Sequence, residues 1–211
     1  MIKSTLVPLG LSYSTTFPAN ENPISESGNW ENTISGTFTA PVSTTGGHAV
    51  GLDSTGVNDS IARLVGAYGR DQTITATAYR GGASGAAEIE LHCRMTMTPG
   101  APDTIQTYEF DILPSVDAIV IAKWDGSQGT LTNLTNDSGL GGVSDGDVFE
   151  ASAIGPANNT VLTLKKNGTI ISQATDTAAF PSGNPGIGFD AGTSSDGANL
   201  GWKDYSVVTS N

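Results

Sequence analysis

No stretch of this chain runs longer than residues 86–98 without a glycine or a proline. That spacing decides what the chain can fold into. Glycine admits backbone conformations closed to other residues, and proline cannot donate to a helix or a central ladder. Closely spaced turn residues therefore leave segments of strand length between them. No long segment carries apolar residues at a period of 3.6, so helix is expected to be confined to a turn or two. Several segments instead alternate with a period of two. Strands are expected at Gln72–Arg80, Ala86–Met97, Ile105–Leu113, Val116–Trp124, Asp147–Ile154, Thr160–Lys166, Thr169–Gln173, Pro185–Asp190 and Trp202–Val208. Val116–Trp124 is nearly all apolar, which suits a strand covered on both faces. Lys166-Asn167-Gly168-Thr169 should be a tight hairpin, because Asn and Gly both tolerate positive φ. Gly139–Gly146 reads as a loop. Roughly a dozen strands are too many for one open sheet, so the expected fold is all-β, a two-sheet antiparallel sandwich of the jelly-roll type.

The 211 residues suit one β-sandwich domain over 1–211, with a core at about 28–208 and residues 1–27 as an edge strand or arm. The net charge of −12 repels phosphate backbones and anionic lipid, so nucleic acid is not an expected partner. No apolar stretch is long enough for membrane insertion. The start, Met1-Ile2-Lys3-Ser4-Thr5-Leu6, lacks the apolar run of a signal peptide. An extracellular or virion-surface location is the expectation, the virion being one route that needs no such segment. The single cysteine, Cys93, excludes an internal disulfide and reads as a small core residue.

The order of several short motifs adds to this. Gly28-Asn29-Trp30 comes first, followed by Leu91-His92-Cys93-Arg94, Tyr108-Glu109-Phe110 and Val120–Gly126. Gly146–Glu150, Leu162–Gly168, Gly183–Gly188 and Trp202–Val207 complete it. In this order the chain resembles the concanavalin A-like lectin and glucanase jelly rolls, especially laminin-G-like modules of bacterial and phage proteins. The resemblance covers roughly residues 28–208. It implies two antiparallel sheets, one of them concave, with the terminal strands adjacent. It leaves activity open, since one fold hosts many functions.

Side chains alternate across a strand, so Glu88, Glu90, His92 and Arg94 are expected to share one face, with Ile89, Leu91, Cys93 and Met95 on the other. On a concave face that row could hydrogen-bond sugar hydroxyls; on an outer face it would be a solvated set of weak ion pairs. Tyr108 and Trp124 are further candidate ligand-binding residues, Trp124 because it precedes the Asp125-Gly126 turn. Trp30 and Trp202 read as packing residues. The resemblance also implies a test for catalysis. Laminarinase-type glycosidases carry Glu-x-Asp-x-x-Glu, whose two glutamates serve as nucleophile and acid/base. Here Glu109 and Asp111 match the first half, but Pro114 occupies the last position and Leu113 the shorter-spaced alternative. A lyase would need a base, a carboxylate neutraliser and a proton donor. His92, Arg94, Tyr79 and Tyr108 supply those types without the expected signatures. His48 and His92 are far apart, so a His-based zinc site is not expected from spacing. No cofactor is required. The resemblance implies that a structural Ca²⁺ could link the terminal strands at Asp204.

These observations favour a non-catalytic module that binds a polysaccharide or glycan, or that packs against neighbouring protein subunits in an assembly. The alternative is a glycoside hydrolase or polysaccharide lyase using Glu88, Glu90, His92, Glu109 or Asp111.

Overall fold

A computed structural model describes residues 10–33, 39–51, 59–82, 88–98, 104–127, 130–190 and 198–211. Among them there is no helix, and seventeen strands form two sheets. The first sheet holds β1 (Ser12–Thr15), β4 (Val42–Thr45), β5 (His48–Gly51), β7 (Asp71–Arg80), β13 (Val148–Ile154), β14 (Thr160–Lys166), β15 (Thr169–Asp176) and β17 (Leu200–Ser210). Its order is β15-β14-β13-β7-β17-β5-β4, with β1 on the free part of the β17 edge. The second sheet holds β2 (Trp30–Asn32), β3 (Thr39–Ala40), β6 (Asp59–Leu64), β8 (Glu88–Thr98), β9 (Thr104–Leu113), β10 (Ala118–Ser127), β11 (Leu131–Asn133), β12 (Asp137–Ser138) and β16 (Asn184–Asp190). Its order is β11-β10-β9-β8-β16-β6-β2, with β12 beside β10 and β3 beside β6. All pairings are antiparallel except β3 with β6.

The strands expected from alternation are all present, within a few residues at each end; residues 86–87 lie outside the described residues. The Asn167-Gly168 turn is a two-residue hairpin that pairs Lys166 with Thr169, and both turn residues have positive φ. Val116 is not in a strand: it sits exposed in the turn before β10. Both faces of β10 are nonetheless covered, Ile119 and Ile121 on one side and Ala122 and Trp124 on the other. The short strands of the N-terminal third, β1 to β6, carry too few alternating residues to be legible. The terminal strands are adjacent, since Ser12–Thr15 pairs with Tyr205–Val208.

The core lies between the sheets. The first sheet contributes Ile74, Phe149, Leu162, Leu164, Trp202, Tyr205 and Val207; the second contributes Ile89, Leu91, Cys93, Tyr108, Phe110, Ile112, Ile119, Ile121, Ile187 and Phe189. Trp30 and Trp202 pack as expected, and Trp202 Nε1 donates to the Glu90 carbonyl across the sandwich at 3.2 Å. Because residues i and i+2 share a face, filling this core turns Glu88, Glu90, His92, Thr107, Glu109 and Asp111 to the opposite face of the second sheet.

Candidate functional site

Register builds the site. β8 lies between β9 and β16, pairing His92 with Glu109 and Glu90 with Asp111 on one side. On the other side it pairs Glu90 with Gly188 and Glu88 with Asp190. Asp190 in turn pairs with Asp59 of β6. Six carboxyls from four strands therefore gather in one patch, two of them, Glu90 and Glu109, beside the His92 imidazole. Glu90, His92 and Glu109 are buried, at 1%, 0% and 3% exposure. The Asp59, Glu88 and Asp190 side chains form a half-buried triad beside them.

The contacts are specific. His92 Nε2 lies 2.9 Å from Glu90 Oε2, and His92 Nδ1 lies 3.4 Å from Thr107 Oγ1. Trp124 Nε1 donates to Glu109 Oε2. Gly188 is the floor of this site: a methyl group on it would collide with Glu90 Oε2 and His92 Nε2. The Glu90 and Glu109 carboxyls are neighbours, each offering an oxygen within 4.8 Å of the other and of a His92 ring nitrogen. The second Glu90 oxygen, Oε1, is buried without a hydrogen-bond partner.

Electrostatics follow from burial. Desolvation, then Asp111, Asp59 and Asp190, push the Glu88 carboxyl up to about 9. Burial and neighbouring acids hold Glu90, Glu109 and Asp111 well above the usual carboxylate range. Among the described residues, the charges acting on these four carboxyls are all acidic. Burial pushes His92 down to about 3, so the imidazole is neutral. At neutral pH the patch holds protons or needs a cation.

Of the residues expected to act together, the structure unites Glu88, Glu90, His92, Glu109, Asp111 and Trp124. It separates two others, Arg94 and Tyr108. Arg94 does not share their face. It has φ +55°, in a β-bulge that shifts the register between Cys93 and Thr96. The bulge reverses the alternation, so the Arg94 side chain turns inward and is completely buried. There it donates to the carbonyls of Arg70 (2.9 Å), Phe180 (2.8 Å) and Gly155 (2.7 Å), and to Thr160 Oγ1 (2.8 Å). Met95 moves the other way. It leaves the expected inner row and joins Ile61, Met97, Ile105 and Trp124 in a second apolar cluster. Tyr108 lies in the core, where its hydroxyl donates to Asp176 at 2.8 Å. Trp124 is at the expected place but buried, at 3% exposure. Asp204 sits in β17 on the first sheet and accepts the Thr77 amide at 2.9 Å. No group of three acid, His or Cys ligands among the described residues includes it.

Sequence reasoning missed Asp59, Asp190 and Thr107. The two aspartates stand at strand ends, and only the pairing of β6, β16 and β8 brings them to Glu88. Thr107 carried a readable signal, being two residues before Glu109 on the same face. Two open grooves of about 510 Å³ each adjoin along β1 on the other sheet. One is lined by Tyr13, Glu21, Glu26 and Asn29, the other by Thr75, Thr77, Asp204 and Ser206, and Ser14–Thr16 belong to both.

No protein-family model and no curated protein matches the chain. Solved structures do match in shape. The CBM2 module of the evolved Dit of Lactobacillus casei BL23 phage J-1 superposes with a TM-score of 0.56 at 12% identity, over 96% of this chain and 98% of that one. The fold is the concanavalin A-like lectin/glucanase jelly roll. β-Agarase A from Zobellia galactanivorans has a TM-score of 0.57 at 10% identity, over 93% and 89% of the two chains. A lichenase, a β-1,3-1,4-glucanase from a mouse hindgut metagenome, has 0.50 at 11%, over 94% and 99%. The likeness at 10–12% identity is one of overall fold.

Proposed function

We propose that the chain is a non-catalytic carbohydrate-binding module working on an extracellular or virion surface. One observation carries the reading. The carboxyls suited to cleaving a glycosidic bond, Glu90 and Glu109, are buried, whereas the hydroxyl- and carboxylate-lined grooves along β1 and β17 are open. Sugar hydroxyls pair with such groups, and Tyr13 adds an aromatic surface for a pyranose ring. The phage Dit module, which matches over nearly all of both chains, is consistent with a role on a virion. The test is retention on a panel of polysaccharides, with reducing-sugar release and ultraviolet absorbance followed in the same tubes. Retention without product is the expected result, weakened by Asp204→Ala in the groove.

The second reading is a glycoside hydrolase, favoured by one specific feature. Glu90, Glu109 and Asp111 sit on adjacent strands with raised pKa values, and a carboxyl kept protonated at neutral pH is what a general acid requires. Product release that disappears in Glu109→Gln would establish this reading over the first.

A further inference from the structure

We propose that Glu90, His92 and Glu109 form a buried site for one divalent transition-metal ion. Each offers a ligand atom, and these atoms lie within 4.8 Å of one another. Acidic clusters alone are common on protein surfaces, but this one is inside. A second observation points to a ligand: Glu90 Oε1 is buried and receives no hydrogen bond. A buried carboxylate oxygen without a donor is costly, and a cation removes that cost.

The neighbours leave the right atoms available. Trp124 donates to Glu109 Oε2 and so holds that carboxylate in place beside His92. Thr107 lies on the Nδ1 side of His92, which turns Nε2 toward Glu90 and away from other partners. Such outer contacts fix the orientation of ligand side chains. Gly188 leaves space where a side chain would strike both Glu90 and His92. Metal bonds of about 2.0–2.2 Å would draw the three ligand atoms slightly closer together. Two carboxylates neutralise a divalent ion, and the imidazole nitrogen selects a borderline ion such as Zn²⁺ over Ca²⁺ or Mg²⁺. The half-buried Asp59, Glu88 and Asp190 add negative charge alongside. The site does not depend on glycan binding, because its ligands are on the other sheet from the open grooves.

The test uses the full chain stripped with EDTA, titrated with ZnCl₂ and, in parallel, with Co²⁺ followed by visible absorbance. One equivalent is expected to bind, and Glu109→Gln and His92→Gln should weaken it by about 100-fold or more. His48→Gln, a change outside the site, should leave uptake intact. That variant keeps His92 as the chain's only histidine. Its imidazole ¹⁵N signals should shift on Zn²⁺ addition, a readout that survives if the ligand variants fail to fold. Absence of uptake by the folded wild-type chain would overturn the proposal. So would uptake that persists in folded Glu109→Gln, or His92 signals that Zn²⁺ leaves unmoved.

Discussion

Replacing Arg94 by Met is the sharpest test of the architecture, because sequence and structure assign that side chain to different places. A ligand-binding Arg94 on the outer row would lose glycan affinity on substitution and leave stability nearly untouched. The observed Arg94 instead ties one end of the sandwich together. Its guanidinium bonds the carbonyl before β7, the carbonyl after β13, the first residue of β14 and the carbonyl of Phe180. Asp71 lies 3.6 Å away as a partial counter-charge. Methionine fills similar volume but donates nothing, so three carbonyls lose a charged donor. A fully buried orphan costs about 1–3 kcal/mol, so about 3–9 kcal/mol is a ceiling, because the Arg70 and Gly155 carbonyls are only part-buried and water can reach them. Removing a buried charge returns part of its desolvation cost, and Thr160 Oγ1 keeps its own bond to the Pro156 carbonyl. The expected loss is therefore near the lower half of the range, about 3–5 kcal/mol. For a chain of this size that is a fall in Tm of roughly 10–15 °C. Urea denaturation followed by tryptophan fluorescence measures the free energy, and calorimetry the Tm. Arg94→Lys should recover only a fraction, since an ammonium cannot span the fork. A Met variant within about 1 kcal/mol of wild type would refute the reasoning.

Other expected outcomes follow from the same geometry. With EDTA present, stability should fall as pH rises from 7 to 9. The native state holds protons on Glu88 (about 9), Glu90, Glu109 and Asp111 that the unfolded chain has already released, so unfolding is favoured by up to about 1.4 kcal/mol per pH unit for each retained proton. His92, pushed down to about 3, acts with the opposite sign only below its unfolded value of about 6.5, so it does not mask that decline; a flat or rising Tm across this window would contradict the buried cluster. Gly188→Ala should destabilise by about 1–3 kcal/mol through its collision with Glu90 and His92, measured by the same denaturation. Cys93, wholly buried with its thiol pushed up to about 12 by burial, should react with an aromatic disulfide reagent at pH 8 only as fast as the chain opens; immediate labelling of the native chain would be the contrary result.

Legibility in the sequence followed physical range. Alternation is a property of a few neighbouring residues, so the long strands, the Asn167-Gly168 hairpin and the union of Glu88, Glu90 and His92 were readable. So was the companion pair Glu109 and Asp111, which sit two apart on β9. Asp59 and Asp190 were not readable, because each matters only through pairing between β6, β16 and β8, segments far apart in the chain. Tyr108 illustrates a third limit. Its place in the alternation with Phe110 and Ile112 puts it on the inner face, opposite Glu109 and Asp111, and so away from the row expected to bind ligand. The core accepts its hydroxyl because Asp176 and the Phe180 amide satisfy it.

The largest departure came from one backbone angle. Alternation through Glu88–Met95 holds up to Cys93 and then reverses, because Arg94 adopts a left-handed φ that glycine or asparagine would have advertised and arginine does not. Its conformational cost is offset by what the bulge allows. Turned inward, the guanidinium reaches four oxygens that close one end of the sandwich. Met95 and Met97, turned outward by the same reversal, join Trp124 in an apolar cluster beside the site. Trp124 is thereby held where its indole N–H meets Glu109. Straightening β8 would remove the end-tie and that apolar cluster together. The bulge thus links the stability of the fold to the geometry of the acidic site, and variants at Arg94 should disturb Glu109 through Met95 and Trp124 without touching it.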